Sequence, residues 1–396
     1  ANGGSGGGGG GGGIGLEFDA GGAGGGGGFG AGGGAGGYGL GGYGRLGNGG
    51  FGGFGGGGGY SGGSGGFGGG SGGFGDSGVG VGGYGGGGGG MGGALFNDGG
   101  TIVLTRVTLA NNTAQGGGNY RGGSGFGGAV FNYNGSLSVT LSTLAGNIVF
   151  EGSGSTQIGN ALGGAIYSLG DSASNCSAGG NVTCTTNGAT LVMNGSIAYG
   201  STTQTSDVVL DTRPPGIDSI QGTSTAQGVS NLIGSVGTLN STSRSGLGSV
   251  TTDPQLGSLQ NNGGPTFTML PSAGSAAVID ALDSSIACPA VDQRGVPRPQ
   301  GVACDIGAVE IPAWVLNVSV NGAGTVSAAP SSAASLGAVP IANCGATTGG
   351  QCQASFASTA LAVLAATPSN GNAFAKWSGG ACIDSTSKSC TVSMDA

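Results

Sequence analysis

The stretches GGALFN (residues 92–97), GGAVFN (127–132) and GGAIYS (163–168) recur at spacings of 35 and 36 residues. Each precedes a second segment: GTIVLTRVTLANN (100–112), GSLSVTLSTLAGN (135–147) and GATLVMNGSIAYG (188–200). Within these, Ile102/Leu104, Leu137/Val139 and Thr190/Val192 alternate with polar neighbours, the period-two pattern of half-buried strands. Leu109, Leu144 and Ile197 take the same later position in each copy. Short strands at this period, with Gly and Asn at the corners, predict an all-β chain built as a parallel β-solenoid. Stacking then buries apolar residues inside every coil, although no single coil has a core. Asn97/Asn132 and Asn112/Asn147 are placed to stack as amide ladders along the axis. No stretch of useful length has a 3.6-residue period, which excludes a helical fold.

Glycine is the other organising feature. The 396 residues include 106 glycines, 62 of them in the first hundred positions. Residues 1–91 form a low-complexity segment with ten aromatics between Phe18 and Tyr84. So much glycine carries a large entropy loss on ordering and offers little side chain to bury. The segment therefore reads as a flexible spacer, with a sticky, self-associating segment as the alternative. Its acids, Glu17, Asp19 and Asp76, are too sparse for a calcium-binding nonapeptide roll.

Composition excludes several chemistries. There is no histidine, so no Ser-His-Asp, Cys-His or histidine-zinc site exists. Lys376 and Lys388 are the only lysines, and neither ends a phosphate-cradling Gly-Lys-Ser/Thr loop. A net charge of −8 and scattered arginines argue against a nucleic-acid partner. The longest apolar run, near residues 360–366, is too short for a membrane span. The chain opens inside a glycine run and reads as a mature or excised fragment. Its eight cysteines fall into local pairs, 176/184, 288/304, 344/352 and 382/390, which predict disulfides in an oxidising, extracellular setting.

The repeated GGA-[ILV]-[FY]-N with Leu109-Ala-Asn-Asn and Leu144-Ala-Gly-Asn resembles the right-handed β-helix repeats of bacterial polymorphic outer-membrane proteins. The third copy departs, with Tyr167-Ser168 in place of Phe-Asn and an insertion carrying Cys176 and Cys184, expected as a disulfide-closed loop. NLIGS (231–235), the stretch 252–281 and CPAVDQRGVPRPQGVACDIGAVE (288–310) are similar to the end of choice-of-anchor Q domain proteins. That resemblance covers roughly 92–311 and implies a bacterial surface protein followed by a variable anchoring tail. Residues 314–396 resemble small extracellular modules such as the internalin-type B-repeat. Strands are expected there at Val315–Val320, Thr325–Ala328, Ala354–Phe356, Leu361–Ala366, Phe374–Trp377 and Cys390–Met394. The resemblance also implies a further strand after Met394, so the module reads as truncated. The expected organisation is a glycine-rich segment (1–91), a right-handed parallel β-helix with a C-terminal cap (92–311) and a small disulfide-bonded β module (314–396).

One dense polar constellation stands out: Asp280, Asp283, Asp292, Arg294, Arg298, Asp305 and Glu310. Paired carboxylates beside arginine serve acid/base work or calcium binding in β-helix polysaccharide enzymes. The favoured reading is an ion-paired cap over the open edges of the solenoid's last coil, with prolines 289, 297 and 299 stiffening the disulfide loop. Asp207, Asp211 and Asp218 around Arg213-Pro214-Pro215 match no oxygen-ligand loop and read as loop decoration. Trp314 and Trp377 read as core of the small module, with sugar stacking as the alternative. No residue is assigned a catalytic, cofactor-binding or metal-binding role. The function expected is a non-enzymatic surface or secreted adhesin-like stalk, its partners extracellular glycans, other surface proteins or itself. The alternatives are a self-assembling matrix or filament protein and, third, a polysaccharide-active enzyme.

Overall fold

A computed structural model describes residues 84–171, 188–201, 206–213, 222–240, 252–272, 277–301, 303–311, 313–330, 341–346, 350–357 and 361–393, with short pieces at 56–59, 62–65, 68–73, 243–245 and 335–336 and a few single positions. The described chain is all-β, with one short 3-10 turn at Gly380–Cys382.

Of six parallel sheets among the described residues, three run through four or five repeats. The first contains Leu95–Asp98, Val130–Tyr133, Ile166–Gly170, Val208–Thr212 and Val236–Thr238. The second contains Thr101–Thr105, Ser136–Thr140, Gly188–Asn194, Thr223–Val229 and Ser243–Ser245. The third contains Thr108–Ala110, Thr143–Ala145, Ile197–Tyr199 and Leu232–Ile233. Each strand pairs in parallel with its counterpart one repeat away, as Leu95 with Val130, Val130 with Ile166 and Ile166 with Val208. Because side chains alternate across a strand, each sheet sends one set inward. Val130, Leu137, Val139, Leu144, Ile166, Leu191, Met193, Val208, Leu210 and Ile233 from all three sheets share one core.

The expected amide ladders are present. Asn97 Nδ2 donates to Asn132 Oδ1 (2.8 Å), and Asn132 Nδ2 continues to the Ser168 hydroxyl (3.1 Å), so the serine of the divergent third copy keeps the ladder going. Asn112 Nδ2 likewise donates to Asn147 Oδ1 (2.9 Å).

The third copy differs from the sequence reading by one residue. Thr190 pairs with Ser136 and Leu191 with Leu137, so Leu191 and Met193 face the core and Thr190 and Val192 face outward. Ala198, not Ile197, is the partner of Leu144; Ile197 pairs with Thr143 and points away from the core. A one-residue shift inverts every side chain, and burying the larger pair Leu191/Met193 decides the register.

The glycine-rich pieces pack over the outer face of the first sheet. That face carries a stack of rings, Phe96 on Phe131 (5.2 Å between centroids) and Phe131 on Tyr167 (5.5 Å). The short strands Gly90–Met91, Gly125–Phe126 and Ala161–Leu162 lie against it. Beyond them, the described glycines form neither helix nor ladder, and hydrogen-bond to several neighbours at once. Gly86 N–H donates to Gly58 O (2.8 Å), Gly87 to Arg121 O (2.9 Å), Gly70 to Gly87 O (2.8 Å) and Gly117 to Gly88 O (2.7 Å). Close approach is what requires glycine here: a Cβ on Gly87 would sit 2.7 Å from the Gly117 carbonyl carbon and 2.8 Å from Gly123 N. These described pieces pack closely, some buried and some partly exposed, and the packing runs on past residue 91 into 116–123 and 152, while most of residues 1–83 lie outside the described residues.

The C-terminal strands are antiparallel. Ala313–Asn317 and Ser335–Leu336 flank Gln353–Ala357, while Gly324–Pro330 and Ser389–Ser393 flank Leu361–Pro368. Disulfides Cys344–Cys352 and Cys382–Cys390 form as the pairing predicts. Phe374–Trp377, expected as a strand, is irregular; its two rings contact each other at 5.2 Å and Trp377 packs against the module core. The Trp314 side chain, Asp218, Pro214, Pro215 and the Cys176/Cys184 pair lie outside the described residues.

Candidate functional site

The polar constellation is not where an end cap would sit. Its block, residues 277–311, lies along the side of the parallel stack, against the outer face of the third sheet. It touches four successive repeats. Arg106 Nη1 donates to Val291 O (2.9 Å) and the Thr108 hydroxyl to Gln293 Oε1 (2.6 Å). Ala308 N–H donates to the Thr143 hydroxyl (3.1 Å), Gly307 N–H to Gly195 O (2.8 Å) and the Ser230 hydroxyl to Ala281 O (3.2 Å). Ile197 and Leu232, at the outward positions that Thr108 and Thr143 occupy in earlier copies, bury against Val278, Ile279, Leu282 and Ile306. Gly307 has φ +98°, and a Cβ there would meet Ile197 and Thr143 at 2.9 Å, so only glycine lets the block approach this closely.

Within the block the carboxylates are consumed by backbone amides. Asp292 accepts from Arg294 N–H (2.7 Å), Val296 N–H (3.0 Å) and Glu310 N–H (2.9 Å), and its Oδ2 forms a 2.8 Å ion pair with Arg294 Nη2. Glu310 accepts from Gln300 N–H (2.8 Å) and Asp305 N–H (3.0 Å); Asp305 accepts from Asp280 N–H (2.8 Å) and Ile311 N–H (2.6 Å). Arg298 donates to Asp305 O (2.9 Å) and Gly307 O (2.8 Å), with Glu310 Oε2 at 3.5 Å from its Nε. Asp280 accepts from Ala303 N–H (3.1 Å). Asp283 stands apart on the surface, accepting from Ser285 N–H (2.8 Å). The Cys288–Cys304 disulfide closes the loop.

The electrostatics follow from burial and an excess of acids over arginines. Burial and the Glu310 charge push the Asp305 carboxyl up to about 8. Burial also raises Glu310. For Asp292, burial acts upward but is outweighed by the Glu310 N–H, the Arg294 guanidinium and the Val296 N–H, which hold it below the usual carboxylate range. A carboxylate surrounded by its own backbone amides is a staple, and it presents no open acid and base to a substrate. Among the described residues, no group of three or more His, Cys, Asp or Glu is arranged to hold a metal.

The second acidic group is also held internally. Asp211 accepts from the Tyr167 hydroxyl and from Asn240 Nδ2 (2.7 Å). Asp207 accepts from Ser201 N–H (3.0 Å) and the Ser235 hydroxyl (3.2 Å). Arg213 pairs with Asp171 (3.1 Å), whose carboxylate also receives the Tyr133 hydroxyl (3.0 Å). Sequence reasoning missed Asp171 and the two tyrosines; their spacing across repeats, 133 to 171 and 167 to 211, was the available signal. Burial, then the Asp211 charge, raises the Tyr167 phenol well above its ordinary value.

Next to this pair, a cleft of about 480 Å³ opens between the glycine pieces and the first sheet. It is lined by the backbone of Gly68–Gly70 and by Arg121, Gln157, Ile158, Asn160, Phe126, Tyr167 and Asp211. Comparison with protein-family models, curated proteins and solved structures finds no match. No described helix is long and apolar enough to cross a membrane.

Proposed function

We propose that the chain is a non-enzymatic extracellular rod of adhesin-like type, its parallel sheets wound as a right-handed β-helix. The assignment to the polymorphic outer-membrane and choice-of-anchor Q group belongs to the same proposal and rests on the repeat and block motifs. The carrying observation is the contrast among the outer faces of the three longest sheets. The first is covered by glycine backbone and the third by the 277–311 block. The second displays Thr101/Ser136/Thr190/Thr225, Val103/Ser138/Val192/Gln227 and Thr105/Thr140/Asn194/Val229 in register, without one charged side chain. A regular, uncharged hydroxyl and amide surface suits weak contacts repeated along a rod. The disulfides support an oxidising compartment.

Immobilised protein is expected to retain bacterial cells or matrix polysaccharide, and Ser138→Asp with Thr190→Asp on the second face is expected to reduce that retention. Failure to retain either, or retention indifferent to the two aspartates, overturns the adhesive reading. Electron microscopy of the purified chain separates single rods from the filaments that a self-assembling protein would form.

A further inference from the structure

We infer that the cleft beside Tyr167 and Asp211 is a binding site for a short neutral saccharide. This goes beyond the adhesive reading, which rests on a different face; a discrete cleft saturates with one small ligand whether or not the rod adheres to anything.

The volume of about 480 Å³ lies within the roughly 300–1,000 Å³ usual for small-ligand sites. Its chemistry narrows the ligand. Asp211 is 6% exposed, and each of its oxygens takes one protein donor, Tyr167 on Oδ2 and Asn240 on Oδ1. Its contacts are internal, which leaves the ligand to the exposed side chains of the cleft. Gln157 and Asn160, both exposed lining residues, supply amide donors and acceptors. Ile158, 62% exposed, and Leu239, 37% exposed, offer apolar surface for the C–H face of a sugar ring.

Competing ligand classes fit less well. Among the described lining residues Arg121 is the one cation and Asp211 the one acid, so a phosphate or uronic acid finds no surplus of positive charge there. Phe126 and Tyr167 are 4% and 1% exposed, so neither presents a ring face on which a nucleobase could stack. The Gly68–Gly70 backbone brings no side chain to the cleft, and the space beside each Cα is filled by the Phe126 ring or by the backbone of Gly56 and Arg121. A polyhydroxylated, uncharged ring with one apolar face meets all of these features together.

The test uses the full chain and a panel of free disaccharides, cellobiose, lactose, maltose and N,N′-diacetylchitobiose, titrated by calorimetry and saturation-transfer NMR. At least one is expected to bind with one-site saturation. Gln157→Ala and Asn160→Ala, both at exposed side chains, are each expected to weaken it about 2- to 10-fold, the range for one lost hydrogen bond. Asn160→Trp, which fills the mouth, is expected to abolish it, with circular dichroism showing all three variants folded. The inference is overturned if no disaccharide saturates, if the alanine variants bind unchanged, or if digalacturonate binds more tightly than the neutral sugars. None of those results touches retention of cells through the second face, so the two proposals fail separately.

Discussion

Asp305 is the side chain whose perturbation says most about the lateral block. It is 1% exposed, and burial with the Glu310 charge raises its pKa to about 8. The unfolded chain returns it to roughly 3.9. A carboxyl whose folded pKa lies above its unfolded value holds an extra proton in the native state between those limits. The native state therefore gains stability as pH falls from 8 towards 4 and loses it as pH rises through 8. One proton corresponds to about 1.4 kcal/mol per pH unit, so going from pH 8 to pH 5 stabilises by up to about 4 kcal/mol. That figure belongs to the Asp305–Glu310 pair, which shares the proton. Asp292 works the other way: its lowered pKa contributes stability above about pH 4 that disappears as pH falls through its folded value. From these two groups, maximum stability is thus expected at about pH 4. Urea unfolding followed by circular dichroism at pH 5, 6.5 and 8 reads the slope, and hydrogen exchange of peptides from 277–311, corrected for intrinsic rates, assigns it to the block. Asp305→Asn removes the titrating group and should flatten the slope. A wild-type midpoint that climbs from pH 5 to pH 8, or an Asn variant with an unchanged slope, refutes the reasoning.

Two further substitutions test the packing. Gly87→Ala puts a Cβ into the backbones of Gly117 and Gly123 and should destabilise by about 1–3 kcal/mol or more, whereas Gly379→Ala, with open space around it, should be near neutral in the same thermal melt. Ile197→Ala should destabilise by about 2–5 kcal/mol and raise proteolysis within 277–311, while Val103→Thr on the open face should stay within about 0.5 kcal/mol; equal effects would mean the block is not held through Ile197.

The repeat was legible because three constraints coincide at one period: the glycine corners, the alternating strand and the asparagine that donates to its own copy one turn later. The third copy was misread by one residue because aligning Gly188 with Gly100 and Gly135 gave glycine more weight than the apolar pair Leu191/Met193. The same slip hid the docking surface. With Ile197 aligned to Leu109 and Leu144, nothing marked the third sheet's outer face; in the observed register, Thr108 and Thr143 give way to Ile197 and Leu232 where the block lands. The acids were legible as a cluster but not as a lateral staple, because their ligands are mostly backbone N–H groups of residues 280–311, which a list of side chains does not reveal. The tyrosine–aspartate pairs were missed for a related reason: each joins neighbouring repeats across insertions of unequal length.

The glycine-rich pieces are where sequence reasoning and packing diverge most, and the reason is energetic. Ordering one residue's backbone costs about 1–2 kcal/mol, and one internal hydrogen bond returns about 0.5–1.5 kcal/mol. A glycine chain alone therefore sits close to balance and reads as loose. Here the balance shifts because the chain does not order alone. Gly87 and Gly117 bond to backbone of neighbouring segments, and Gly90 N–H donates to Ser124 O at 2.9 Å, beside the strand that carries Phe126. The repeats contribute glycines at 116–118, 122–123 and 152, so part of the bundle belongs to the stacked strands and templates the rest. The aromatic column at Phe131 and Tyr167 adds apolar area that the thin cover removes from water. A chain with side chains could cover that column, but it could not bring successive backbones into mutual contact. Glycine acts in this part of the molecule mainly through the absence of a Cβ, and only at the repeat corners, such as Gly92 and Gly127 with φ +64°, through a conformation other residues avoid.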